Sequence, residues 1–357
     1  MDTQADDVHR QLFDGLEAAG ARPEHLLQET VFFRDIRSDF TRFVAARLRA
    51  EPRSRKLDCA SVFIEEPPLA PGCPFELLVR AFVPAPGVSS AFASTASLAP
   101  CACPECPIVQ TRTLRLGEQR IVHAGNIVGL PGSTFDETLS MFRSAEEALR
   151  GEGMDFRDVV RTWIYLRHME EDYAEFNRAR RAFFLETGVT LRPASTGIHG
   201  APFADDHGLA MGFIAVSSPG AVPWRAMTSP TLNEACEYGA DFSRGMRVEE
   251  ANKVALHVSG TASVDERGRT VHVGDFEAQA RRMLLNIAAL LRREGASFRN
   301  VLSAVTYLRD PADAKRLAAI LREDGIGGFP HAMVRAHVCR PDLLCEMEVF
   351  AALPPTR

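Results

Sequence analysis

Near the end of the chain, the run VCRPDLLCEMEVF places Cys339, Arg340, Glu346 and Glu348 close together. A carboxyl group in such a run can act as a general acid if burial raises its pKa. Glu346 and Glu348 are two residues apart, so on a strand they share a face. Arg340, and Arg244 in DFSRGM, are candidates for holding a substrate carboxylate, because a guanidinium binds that group through two parallel hydrogen bonds. For each of them the plain alternative is an exposed arginine. Cys339 reads either as a reactive thiol or as a small core residue. Ser259 and Gly260, in HVSGTAS, could bring backbone N–H groups to a ligand, since glycine has no side chain in the way. That glycine would equally relieve crowding in a twisted strand. Tyr307 and Arg309, in VTYLRDP, are candidates for contact with a ring hydroxyl and with an anion, against packing and scaffold roles.

Other chemistries have no foothold. The chain has no GxGxxG followed by an acid, no Walker loop, no HExxH and no GxSxG, and its 10 His are scattered. The expected chemistry needs no cofactor and no metal. Cys101, Cys103 and Cys106, in PCACPECP, could offer three thiolates to zinc. No fourth ligand is evident, and the run lies in a Pro/Ala/Ser-rich stretch, so an irregular exposed segment is expected there.

The elements that must position these residues repeat three times. GARPEHLLQETVFFRDI from Gly20, GMDFRDVVRTWIYLRHM from Gly153 and GASFRNVLSAVTYLRDP from Gly295 align without gaps. Each begins at a helix-ending glycine and closes a β-rich run on an arginine: Arg34, Arg167 and Arg309. An amphipathic helix precedes each glycine, a second helix follows each arginine, and two strands close each unit. The second and third copies also carry a leading hairpin, which the first lacks. The boundaries expected are 1–85 for a truncated unit, 86–107 for a linker, and 108–218 and 225–353 for two fuller units. Recurrence in every copy favours a scaffold role for Arg34, Arg167 and Arg309.

With 46% apolar and 25% charged residues the chain is an ordinary globular sequence, and its net charge of −6 gives no basic block for nucleic acid. No apolar run approaches membrane-spanning length, and the polar, acidic start lacks an export signal. A cytoplasmic protein, monomeric or weakly dimeric, acting on a small molecule is expected.

The order hairpin, helix, strand, helix, strand, strand resembles the RidA/YjgF family, whose members form trimers with ligand clefts between subunits. The resemblance implies an α/β (α+β) fold of three fused chorismate-mutase-like units forming a pseudo-trimer with three non-identical clefts. SGTAS (259–263), Gly274-Asp275 followed by Gln279, and VCRPDLLCE (338–346) further resemble the chorismatases. That likeness implies hydrolysis of chorismate to pyruvate and a hydroxybenzoate or dihydroxycyclohexadienoate. Glu346 would be the acid and Cys339, seven residues before it, would steer product aromatisation. The third unit is therefore the expected active one, with Glu348 structural. The closing-strand acid position reads Glu76, Ala210 and Glu346 in the three copies. The arginine clamp of the family's deaminases, aligned to Ser61, Ser195 and Ala332, is absent from all three. The middle run RTWIYLRHMEED departs from the chorismatase pattern. This keeps open a RidA-type reaction on an imine, enamine or other intermediate, or non-enzymatic ligand binding.

Overall fold

Each repeat glycine turns the chain out of a helix. Gly20, Gly153 and Gly295 have φ of 69°, 69° and 76°, in the left-handed region that glycine tolerates without a Cβ clash. The computed structural model describes residues 3–50, 59–84, 89–96, 109–203, 205–220 and 222–355. The first unit contains α1 (Thr3–Ala18), β1 (Leu26–Phe33), α2 (Ile36–Ala50), β2 (Ala60–Glu65) and β3 (Phe75–Ala81), and is followed by β4 (Ser90–Ala96). The second contains β5 (Val109–Leu116), β6 (Gln119–Ile127), α3 (Thr134–Gly151), β7 (Val159–Leu166), α4 (Met169–Thr187), β8 (Ala194–His199), β9 (Ala201–Pro202) and β10 (Leu209–Ser217). After β11 (Trp224–Ala226) the third has β12 (Gly245–Glu250), β13 (Lys253–Ala262), α5 (Phe276–Arg293), β14 (Val301–Leu308), α6 (Ala314–Glu323), β15 (His331–Arg335) and β16 (Cys345–Leu353).

The units share one strand order. It runs β5-β6-β10-β7-β8 in the second and β12-β13-β16-β14-β15 in the third; the first has only β3-β1-β2. Its missing hairpin leaves β3 as an edge strand. Helices close the outer faces: Asp275 caps α5 by accepting from the Ala278 N–H, and Met283, Ile287, Leu290 and Leu291 on that helix are fully buried. β7 is buried along its whole length, as expected of a strand covered on both faces.

Three equivalent contacts join the units into a ring. Ile64 of β2 faces Pro202 of the second unit, and Val334 of β15 faces Pro68 of the first. At the third junction, His199 of β8 donates its N–H to the His337 carbonyl of the third unit, 3.1 Å away. The chain is thus an α+β fold of three RidA-like units around a pseudo-three-fold axis.

Registers check the alignment of copies. Glu76, Ala210 and Glu346 stand opposite Phe32, Tyr165 and Tyr307, each the thirteenth residue of its gapless repeat. The clamp position needs one correction. Ser61 and Ser195 pair with Glu29 and Thr162, and the equivalent pairing in the third unit, to Ala304, is made by His331 rather than Ala332. A one-residue offset is invisible in sequence because loop lengths differ, whereas a strand ladder fixes it. The supposed linker also differs from expectation. Residues 90–96, SAFASTA, form β4, paired antiparallel with β5 from Ser90↔Leu116. Exposure alternates along it, with Ala91, Ala93 and Thr95 outward, as on a strand with one open face, and Phe92 anchors it beneath the Arg112 guanidinium, 5.0 Å from the ring centre. Cys101, Cys103 and Cys106 lie outside the described residues. No described helix is long and apolar enough to cross a membrane.

Candidate active site

A cavity of about 430 Å³ opens between the second and third units. One wall is the face of α4 carrying Tyr173, Asn177 and Arg180, spaced by one helical turn each, with Gly197 of β8 beneath. Opposite lie Arg244, Gly260, Cys339, Arg340 and Glu346 of the third unit. Five of the eight sequence candidates therefore meet in one cleft.

Glu346 is the buried acid of the site, 5% exposed. A Cβ added at Gly260 would lie 2.0 Å from Glu346 Oε1, so glycine at 260 is what leaves room for this carboxyl. Burial first, then the neighbouring Glu348 carboxylate, pushes Glu346 up to about 8, against the pull of Arg161, Arg244 and Arg340. At neutral pH the group carries its proton. Glu348 has the structural role expected of it. It accepts from Arg161 (2.6 Å), Thr196 Oγ1 (2.5 Å) and Trp163 Nε1 (2.7 Å), all from the second unit, and so ties β16 across the junction.

Three guanidinium groups face the cavity. Phe242 holds two of them by ring contact, with Arg244 Cζ 5.6 Å and Arg180 Cζ 5.8 Å from its centroid. Arg244 also donates to the Asn233 carbonyl at 2.8 Å, and Arg340 donates to the Gly268 carbonyl at 2.7 Å. Burial, then Glu346, pushes the Cys339 thiol up to about 12, so it is a neutral thiol on the cleft wall.

The remaining candidates lie behind this layer. Ser259 is fully buried; its hydroxyl donates to the Ser243 carbonyl at 2.6 Å and accepts from the Ser195 N–H at 2.9 Å. Its own N–H goes to the Arg244 carbonyl, and that of Gly260 to Thr196 Oγ1 at 2.9 Å. The expected delivery of backbone N–H groups to a ligand is therefore replaced by a seam between units, with Gly260 acting through the space it leaves. Tyr307 does not line the cleft; it is buried among Tyr165, Trp163 and Glu348. Arg309 donates to the Leu343 and Arg340 carbonyls and to Glu170 of α4 at 3.0 Å, holding the loop that presents Cys339 and Arg340. Arg34 and Arg167 make the equivalent bonds, to the Cys73 and His207 carbonyls. Gln279 fixes the same loop from α5, donating to the Asp342 carbonyl at 2.8 Å and accepting from the Leu344 N–H.

The other two junctions differ at the same positions. Between the first and second units, Phe40, Phe63 and Phe203 stand where the open cleft has Tyr173, Gly197 and Cys339. Their rings pack together, with Phe40 and Phe203 centroids 4.3 Å apart, and Ala210 replaces the acid. Between the third and first units Glu76 remains, pushed up by burial to about 7, but the hairpin that would flank it is missing.

Comparison with known proteins agrees with this architecture. The endoribonuclease L-PSP family model matches residues 234–353. A RutC family protein of Pyrococcus abyssi is 32% identical over 98 residues, covering 27% of this chain and 76% of that protein. The 3-aminoacrylate deaminase RutC of Acinetobacter baylyi is 33% identical over 101 residues, covering 27% and 77%. The chain belongs to this RutC/YjgF family. A crystal structure of a chorismatase superposes over 92% of this chain and 93% of its own, with a TM-score of 0.62 and 19% identity, so the likeness is one of fold.

Proposed function

We propose that the cleft between the second and third units hydrolyses the enol ether of chorismate, releasing pyruvate. The observation that carries this reading is a protonated, buried Glu346 facing a cavity ringed by Arg180, Arg244 and Arg340. An enol ether is hydrolysed by protonating its methylene carbon. The proton comes from Glu346; the adjacent carbon becomes an oxocarbenium ion, water adds to it, and the resulting hemiketal collapses to pyruvate and the ring alcohol. The glutamate regains its proton from the attacking water, so atoms and charge balance. The guanidinium groups suit a substrate with two carboxylates. Cys339, a neutral thiol on the wall, contacts the ring and directs whether the released diol loses water to a hydroxybenzoate. Arg309 and Gln279 are positioning residues for the loop carrying Cys339 and Arg340.

A second reading is favoured by the deaminase relative. An enamine such as 3-aminoacrylate also hydrolyses by carbon protonation followed by water attack, with ammonia as the leaving group. Incubation with chorismate and, separately, with an enamine generated in situ distinguishes the two. Pyruvate from chorismate supports the first; ammonia release alone supports the second; neither product leaves a ligand-binding protein.

A further inference from the structure

A second cavity, of about 370 Å³, lies where the first unit lacks its hairpin. In the other units the hairpin strand covers the closing strand, pairing His123 with Ile214 and His257 with Phe350. The equivalent residue of the first unit is Arg80 of β3, which pairs with Gln28 of β1 on one side and has no strand on the other. Leu78 through Val83 consequently line the cavity as an open edge.

Arg80 is unusual for a half-buried cation. Among the described residues its side chain makes no hydrogen bond and no ion pair; its guanidinium lies 4.4 Å from the Phe350 ring centre and 5.4 Å from that of Trp163. Two carboxylates act on it through their fields, Glu348 and Glu250, and the first is already held by Arg161, Thr196 and Trp163. Glu250, on the cavity rim, is paired with Lys253. Burial pushes the Glu66 carboxyl well up and the His123 and His257 rings down, so all three are driven towards their uncharged forms. Arg80 and Arg161 against Glu348 leave one positive charge uncompensated beside a cavity with an apolar wall of Phe82, Leu114, Ile121, Ile214 and Phe350 and a polar rim that includes Glu250 and Lys253. An unpaired charge in such a place is costly, and an anion that brings its own apolar body relieves the cost.

We infer that this axial cavity is a second ligand site, taking a small carboxylate with an apolar or aromatic body, its carboxylate on Arg80. The site is separate from the cleft at Glu346 and does not depend on the reaction assigned there. Titration of the full chain with 4-fluorobenzoate, followed by fluorine NMR, tests it. Saturable binding is expected that weakens at least about tenfold in Arg80→Met, the scale of lost hydrogen bonds to a charged group. Ser303→Phe, which keeps Arg80 but fills the cavity, should abolish it, whereas Arg244→Ala and Arg340→Ala in the cleft should leave it unchanged. Absence of saturable binding overturns the inference. So does wild-type binding by either the Arg80→Met or the Ser303→Phe protein, or loss of binding in Arg244→Ala.

Discussion

Glu346 draws its chemistry from what surrounds it. Its pKa of about 8 predicts a rate that is flat through neutrality and falls as the pH rises past about 8, because the ionised form has no proton to give. A pH–rate profile checks this; activity rising through that range would mean a base is at work. The same shift predicts a stability trend. A carboxyl raised from 4.5 to about 8 contributes fully below pH 4.5, and that contribution is lost as the pH rises towards 8. Glu346→Gln should therefore melt progressively higher than wild type between pH 5 and 8, as differential scanning calorimetry would show. Cys339→Ala should spare pyruvate release but move products from hydroxybenzoate towards the non-aromatic diol, read by chromatography. Glu346, Cys339, Arg244, Arg340 and Gly260 were legible in sequence because motifs or copy-to-copy comparison marked them. Tyr173, Asn177 and Arg180 were not, since a polar helical face that lines a cleft has the same pattern as one that meets solvent.

At the level of elements, one small residue on β8 decides which junction is open. Gly197 occupies the position where the first unit has Phe63, and the cleft exists because no ring stands there. Gly197→Phe should therefore fold normally, as the aromatic-filled junction does, yet lose substrate binding. The expected result is a melting temperature within a few degrees of wild type and a kcat/KM lowered by about 10²-fold or more, the scale on which misplaced binding groups cost rate. Wild-type kcat/KM would remove this junction from consideration. Helices and strands were readable from periodicity and repeat, but β4 was hidden. Its alanines and serines look like linker composition, and the pairing with β5 that makes them a strand is a tertiary fact.

The whole molecule is a ring of three unequal copies, and its closure within one chain predicts a particle of one chain's mass. Light scattering after size exclusion should give about 39.2 kDa, or a weak dimer at high concentration; a stable homotrimer would contradict internal closure. Repetition was visible in the aligned glycines and arginines. The ring contacts were not, because each pairs residues far apart in sequence at positions without special composition, such as Ile64 with Pro202. Inequality among the copies is the core of the functional account: one cleft is filled by phenylalanines, one lacks a hairpin, and one keeps acid, thiol and guanidinium groups together. The most direct measurement is pyruvate release from chorismate by the wild type, Glu346→Gln and Glu76→Gln, side by side. Turnover is expected of the wild type, with a loss of about 10²-fold or more in Glu346→Gln and a nearly unchanged rate in Glu76→Gln. Loss of activity in Glu76→Gln with retention in Glu346→Gln would place the chemistry at the wrong junction, and no pyruvate from the wild type would remove chorismate as the substrate.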